Sequence, residues 1–209
     1  ENSNNLNGIR MLFYGLSGTG KTEFARYIAE KLNKKIILKR PSDILSKWIG
    51  ENEANIRRAF EQAEASGDVL LFDEADTFFA DRAGAQHSWE RSTVNEFLTQ
   101  MEEFSGILIC TTNLRQIMAP AMQRRFHILT EFKPLDANGI EILLKRYFKT
   151  FDFNLDLLNQ ITKYDTVTPG DFGQLTGKIR FMSKDSLSSE KIINELCKIQ
   201  EEKETNNRC

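Results

Sequence analysis

Residues 15–22 read Gly-Leu-Ser-Gly-Thr-Gly-Lys-Thr, "GLSGTGKT", and they follow the apolar run "IRMLFYG" at 9–15. Glycines let successive backbone N–H groups turn inward around phosphate oxygens, and the helix N-terminus that follows adds the positive end of its dipole. The spacing G-x-x-x-x-G-K-[ST] is met by Gly15, Gly20, Lys21 and Thr22, between a predicted strand and a predicted helix. That helix is read from Ala25, Ile28, Ala29 and Leu32, which stand at i, i+3, i+4 and i+7. In such a loop Lys21 reaches the β- and γ-phosphates and the Thr22 hydroxyl sits on Mg2+. Ser17, Gly18, Thr19 and Glu23 complete the expected nucleotide-binding set.

Working outward, the strand and helix alternation recurs. "KIILK" (35–39), "VLLF" (69–72), "GILIC" (106–110) and "FHILTEF" (126–132) read as strands. Ile56, Ala59, Phe60 and Ala63 form one intervening helix, and Val94, Phe97, Leu98 and Met101 form another. Nearly all-apolar strands alternating with helices predict a five-stranded parallel sheet with helices on both faces, an α/β fold of the P-loop type. After Pro134 only helical spacing remains: Ile140, Leu143, Leu144 and Tyr147, then Ile192, Leu196 and Ile199. The reading is a nucleotide-binding α/β domain over 1–133 and a small all-α domain over 134–209.

Composition narrows the partners. The chain has 209 residues, with 28 Lys and Arg against 30 Asp and Glu and a formal charge of −2. There is no global basic field to gather nucleic acid, and no run approaches the roughly 18 apolar residues of a membrane span. Cys110, Cys197 and Cys209 have no metal-like spacing; Cys110, inside "GILIC", reads as a buried, inert thiol, which suits a reducing, cytoplasmic setting. His87 and His127 belong to no ligand pattern. The polar opening "ENSNNLNG" has no signal-peptide layout and reads as the edge of a fragment of a longer polypeptide. The tail "EEKETNNRC" is charged and unpatterned, so its last residues are expected to fray.

The run "VLLFDEAD" supplies the loop's complement. Asp73 and Glu74 emerge from the carboxyl end of a buried strand, where ligands bind in open α/β sheets. Asp73 would hold the Mg2+ shell and Glu74 would polarise a water for attack on the γ-phosphate. Asp76 is read as a cap of the following turn, with no catalytic role.

With these pieces the chain resembles the AAA+ ATPases, in particular the branch that disassembles or threads proteins. The resemblance extends over "SDILSKWIGENEANIRRAFEQAE" (42–64), "RSTVNEFLTQME" (91–102) and "ICTTN" (109–113), and nearly the whole chain is covered. It implies that Asn113 senses the γ-phosphate. It also implies that an arginine in "APAMQRRFH" (119–127) reaches into a neighbouring subunit. The usual two arginines are separated by two residues, whereas Arg124 and Arg125 are adjacent; Arg125, directly before Phe126, is favoured. In the helical lid, "TPGDF" (168–172) resembles the second sensor region without its arginine, and Gly170 would pack its backbone near the nucleotide. Lys47, Trp48, Ile49 and Gly50, "KWIG", correspond to the triplet loop that grips an extended polypeptide in the channel of a hexamer. His87 and Trp89, in the polar segment 82–91, are candidates for a second channel loop or belong to a solvated loop.

The function implied is ATP binding and hydrolysis by a ring, expected to be a hexamer, that remodels or unfolds a polypeptide, with ATP and Mg2+ as cofactors. Two alternatives stay open: a nucleic-acid-associated motor, against which the acidic balance argues, and a nucleotide-gated assembly scaffold with little hydrolysis.

Overall fold

The computed structural model describes residues 8–46, 50–79, 88–113, 120–183 and 187–206; the side chains of 77, 88–91, 120, 121 and 206 lie outside that description. The chain divides into two compact units, one of residues 1–16 and 21–132, the other of residues 17–20 and 133–209.

The first unit is built on five strands: β1 (Ile9–Gly15), β2 (Ile36–Lys39), β3 (Val69–Phe72), β4 (Ile107–Thr112) and β5 (Ile128–Phe132), in the order β2-β3-β4-β1-β5. Every pairing is parallel, with Leu12 opposite Cys110, Leu71 opposite Ile109 and Met11 opposite Ile128. Parallel neighbours need crossovers. Among the described residues these contain α1 (Lys21–Lys31), α2 (Pro41–Ile44), α3 (Glu51–Ser66), α4 (Asp76–Phe79), α5 (Ser88–Glu103) and α6 (Pro120–Gln123).

Because side chains alternate along a strand, one sheet yields two cores. Leu12, Leu70, Phe72, Leu108 and Cys110 pack with Ile56, Phe60, Phe97 and Met101 of α3 and α5. Their sequence neighbours Phe13, Val69, Leu71, Ile107 and Ile109 pack with Ala25 and Ala29 of α1. Coverage is complete over β3 and β4, whose residues are all buried, and thinner at the edges, where Ile128 and Leu129 of β5 are each 43% exposed. Edge strands have a sheet neighbour on one side only. Burial also pushes the Cys110 thiol well above its ordinary range, so it stays protonated and unreactive.

Phe97 is the hub of the larger core. It is fully buried, with ring centroids of Phe78, Phe72 and Phe60 at 4.7, 5.0 and 6.0 Å. Phe97→Ala should cost about 3–5 kcal/mol, read as a melting temperature lowered by roughly 6–20 °C in a chain of this size. A shift of only about 1–2 °C in calorimetry would mean that this ring cluster does not hold the sheet to its helices.

The C-terminal helices of the second unit are α7 (Ala137–Tyr147), α8 (Leu155–Thr162), α9 (Pro169–Ile179) and α10 (Ser189–Asn206). Local chemistry starts the first three. Asp136 Oδ1 accepts from the Gly139 N–H at 2.7 Å, Asn154 Oδ1 from Leu157 at 2.9 Å, and Pro169 opens α9 after Thr168. Their apolar faces meet at Ile140, Leu144, Ile161, Phe172, Leu175, Ile192 and Leu196. Helix α10 runs to Asn206, and Lys203 in its last turn bonds to Asp171 and to the Thr166 carbonyl; the last three residues of the tail, 207–209, lie outside the described residues.

Candidate functional site

Gly15 closes β1 opposite Phe132 of β5. A Cβ at residue 15 would lie 2.1 Å from the Phe132 carbonyl oxygen, and φ is +136°, so the neighbouring strand already demands the loop's first glycine. The loop then returns Lys21 to the end of the sheet, where it is only 6% exposed. Its ammonium donates to the carbonyl oxygens of Gly15 and Leu16 and to Asn113 Oδ1, each at 2.8 Å. Those bonds use all three protons. Burial pulls the Lys21 pKa below the usual lysine value, while the charges of Asp76, Asp73 and Glu74 act in the opposite sense.

Thr22, at the head of α1, donates its hydroxyl to Asp73 Oδ1 at 2.7 Å. Thr111 of β4 donates to the same oxygen at 2.6 Å, and its hydroxyl accepts the Glu74 N–H at 3.1 Å. Asp73 is thus buried with one oxygen doubly bonded; its other oxygen lies 3.9 Å from Arg40 Nε, at the end of β2. Glu74 is exposed and sits at φ +57°, a left-handed conformation that costs a non-glycine residue on the order of 1–3 kcal/mol. Thr111 holds that turn on both sides, since its carbonyl accepts the Ala75 N–H at 2.8 Å.

Asp76 does more than the turn-capping read from sequence. Its Oδ1 accepts from the Thr112 hydroxyl and from the Asn113 N–H, so the first residue of α4 fixes the residue that faces Lys21. Thr111 and Arg40 are therefore site residues that sequence reasoning passed over, and Asp76 is one to which it gave only a turn cap. The signal for two of them was present: a Thr-Thr-Asn end on one apolar strand and an acidic end on another, which become neighbours once β3 and β4 pair.

Arg125 is paired through Nε with Glu102, near the end of α5, whereas Arg124 is exposed and makes no ion pair among the described residues. Phe126 is buried against Phe79, with centroids 5.9 Å apart. His127 Nδ1 accepts the Arg10 N–H at 3.1 Å, and Arg10 Nη1 reaches the carbonyls of Met101 and Glu102 at 3.1 and 3.2 Å. The arginine pair is thereby fastened to β1 and α5.

Lys47, Trp48, Ile49 and His87 lie outside the described residues, as does the side chain of Trp89. Gly50 precedes α3 at φ +83°. The segment 82–91, read as a polar loop, is helical from Ser88 onward, because those residues continue the turn that the packed stripe of Val94, Phe97 and Met101 stabilises. Ser17, Gly18, Thr19 and Gly20 group with the C-terminal helices, and Gly170 donates its N–H to the Gly18 carbonyl at 2.9 Å.

The family model for ATPases associated with various cellular activities (AAA) matches residues 11–134, the span that contains all of these strand-end groups. The chain belongs to the AAA family of ATPases. Among curated AAA relatives, Protein SAV of Sulfolobus acidocaldarius is 33% identical over 163 residues, 73% of this chain and 21% of its own length. Protein CdcH of Halobacterium salinarum is 37% identical over 144 residues, 65% of this chain and 19% of its own length. The chain thus spans about a fifth of those relatives. Two solved structures share the AAA fold. Trip13 in the E. coli MS115-1 HORMA:CdnC:Trip13 complex superposes with a TM-score of 0.71 at 20% identity, over 92% of this chain and 73% of that one. The FIGL-1 AAA domain in complex with ADP gives 0.69 at 22% identity, over 91% and 71%. No helix among the described residues of this AAA chain is long and apolar enough to cross a membrane.

Proposed function

We propose that this AAA module binds ATP at Gly15–Thr22, hydrolyses it only when a second copy completes the site, and spends the energy on remodelling a polypeptide. The observation that carries the reading is the convergence of Lys21, Thr22, Asp73, Glu74, Thr111 and Asn113 through side-chain bonds that link the loop to two strand ends. Lys21 already donates to three oxygens, so a phosphate oxygen exchanges for one acceptor with no change in the ammonium's bonding.

The donor set also fits Mg2+. The Thr22 hydroxyl and the Asp73 carboxylate are hard oxygen groups 2.7 Å apart. Held by Thr22 and Asp73, Mg2+ would neutralise charge on the β- and γ-phosphates. Glu74, carried outward by its left-handed turn, accepts the proton of the attacking water. Asn113, held by Asp76, keeps its amide beside Lys21, where it would bond the γ-phosphate.

Arg125 supplies positive charge to the neighbouring subunit's γ-phosphate. Its partner Glu102 is half exposed, and ion pairs of that kind are worth about 0–1 kcal/mol, so leaving it costs little. Lys47–Gly50 is the segment assigned to polypeptide contact, by resemblance to the channel loops of ring-forming relatives. The HORMA-bound complex of Trip13 supports a protein rather than a nucleic acid as substrate.

The reading is tested by the specific ATPase rate across a dilution series. A rate per subunit that rises with protein concentration is expected of a site completed in trans. Turnover that is constant down to concentrations where only monomer sediments would defeat it, and tight ATP binding with no turnover at any concentration would favour the scaffold.

A further inference from the structure

The tip of the phosphate loop, Ser17–Gly20, belongs to the same compact unit as the C-terminal helices. It meets the first turn of α9. Gly170 N donates to the Gly18 carbonyl at 2.9 Å; a Cβ at Gly170 would lie 2.9 Å from Gly18 Cα, and one at Gly18 would lie 2.8 Å from Thr168 Oγ1. Backbones meet this closely only if the turn that carries Thr168 and Gly170 is held in place.

A buried polar network does the holding. The Asp171 carboxylate, on a residue 3% exposed, accepts the Thr168 N–H at 2.8 Å, Gln200 Nε2 at 2.9 Å and the Lys203 ammonium at 2.6 Å. Gln200, fully buried in α10, completes its amide by accepting the Thr166 hydroxyl at 3.1 Å. Lys203 also donates to the Thr166 carbonyl at 3.2 Å. Two consecutive turns of α10 therefore grip both the loop that leads into α9 and the carboxylate that caps it. A buried carboxylate that loses its cation is left uncompensated, so the network acts as a unit.

We propose that Asp171, Gln200 and Lys203 are positioning residues for nucleotide binding: they set the first turn of α9 so that Thr168 and Gly170 hold the phosphate-loop tip in its binding shape. The inference rests on the reading of Gly15–Thr22 as the nucleotide loop. Each of the three acts through the Gly170–Gly18 contact.

The test is a titration with a fluorescent ADP analogue, which involves no hydrolysis, on the full 209-residue chain. Lys203→Met should weaken binding about 3- to 30-fold, the range found for mutations along coupled networks. Lys203→Arg, which restores the cation, should bring affinity back to within about 2-fold of wild type. Gly170→Ala leaves the Asp171 network intact but drives a methyl group against Gly18, and it should weaken binding on its own. If the network acts through that contact, the double variant loses no more than the worse single one.

Multiplied losses in the double variant, or wild-type affinity in Lys203→Met, would overturn the proposal. Were Lys203→Met to unfold, Gln200→Met, which removes another donor to Asp171, carries the same decision alone and combined with Gly170→Ala. Failure of the nucleotide-loop reading looks different: wild type and Lys21→Ala would then bind the analogue equally weakly.

Discussion

Glu74→Gln should abolish ATP turnover by about 10²- to 10⁴-fold while leaving nucleotide affinity within a few-fold of wild type. That loss corresponds to roughly 3–5 kcal/mol of transition-state stabilisation, and its origin is local. Glutamine keeps the shape and the left-handed turn but cannot accept a proton from water. The backbone strain is retained because Thr111 holds the Glu74 N–H irrespective of the side chain. Lys21, Thr22 and Asp73, to which the proposed function gives phosphate and metal binding, bond to one another and to strand ends without using the Glu74 side chain. The check is single-turnover hydrolysis beside an equilibrium titration with a fluorescent ATP analogue. Parallel losses in both would move Glu74 from base to binding residue, and an unchanged rate would place the base elsewhere, Asp76 being another carboxylate bonded into the site.

Arg125→Ala should be at least as damaging, since an arginine supplied in trans is worth about 10³–10⁵ in rate. Its signature is complementation. In a head-to-tail ring, Arg125→Ala protomers keep an intact loop and Glu74→Gln protomers keep an intact arginine. A one-to-one mixture should therefore recover roughly a quarter of wild-type turnover, because half of the sites are competent and half of their neighbours carry the arginine. Neither variant alone recovers anything. No recovery on mixing would mean that Arg125 acts within its own chain, where its partner is Glu102. Should Arg124→Ala be the more damaging substitution, the exposed arginine of the pair is the one that reaches the neighbour.

Much of the fold was legible because its signals are short-range. Four of the five strands lie within the runs read as strands, β4 runs two residues beyond "GILIC" to Thr112, and the stripes of α3 and α5 fall where the spacing of Ile56–Ala63 and Val94–Met101 put them. Helices α8 and α9 were not legible from periodicity. The first is a single short helix of 8 residues and the second mixes one proline and three glycines into 11, so packing against α10 rather than their own pattern defines them.

By itself, the sequence determined what depends on residue type at fixed spacing: the parallel α/β class, the loop with Lys21 and Thr22, and the acidic pair at the end of β3. Each needs only a few neighbouring residues, so local chemistry suffices. What the tertiary structure alone decided is which distant groups share an oxygen or a proton. Asp73 receives hydroxyls from residues 51 and 38 positions away, Lys21 meets Asn113 across 92, and Asp171 meets Lys203 across 32. Those partners are set by strand order and helix packing, because hydrogen bonds act over about 3 Å of space without regard to separation along the chain.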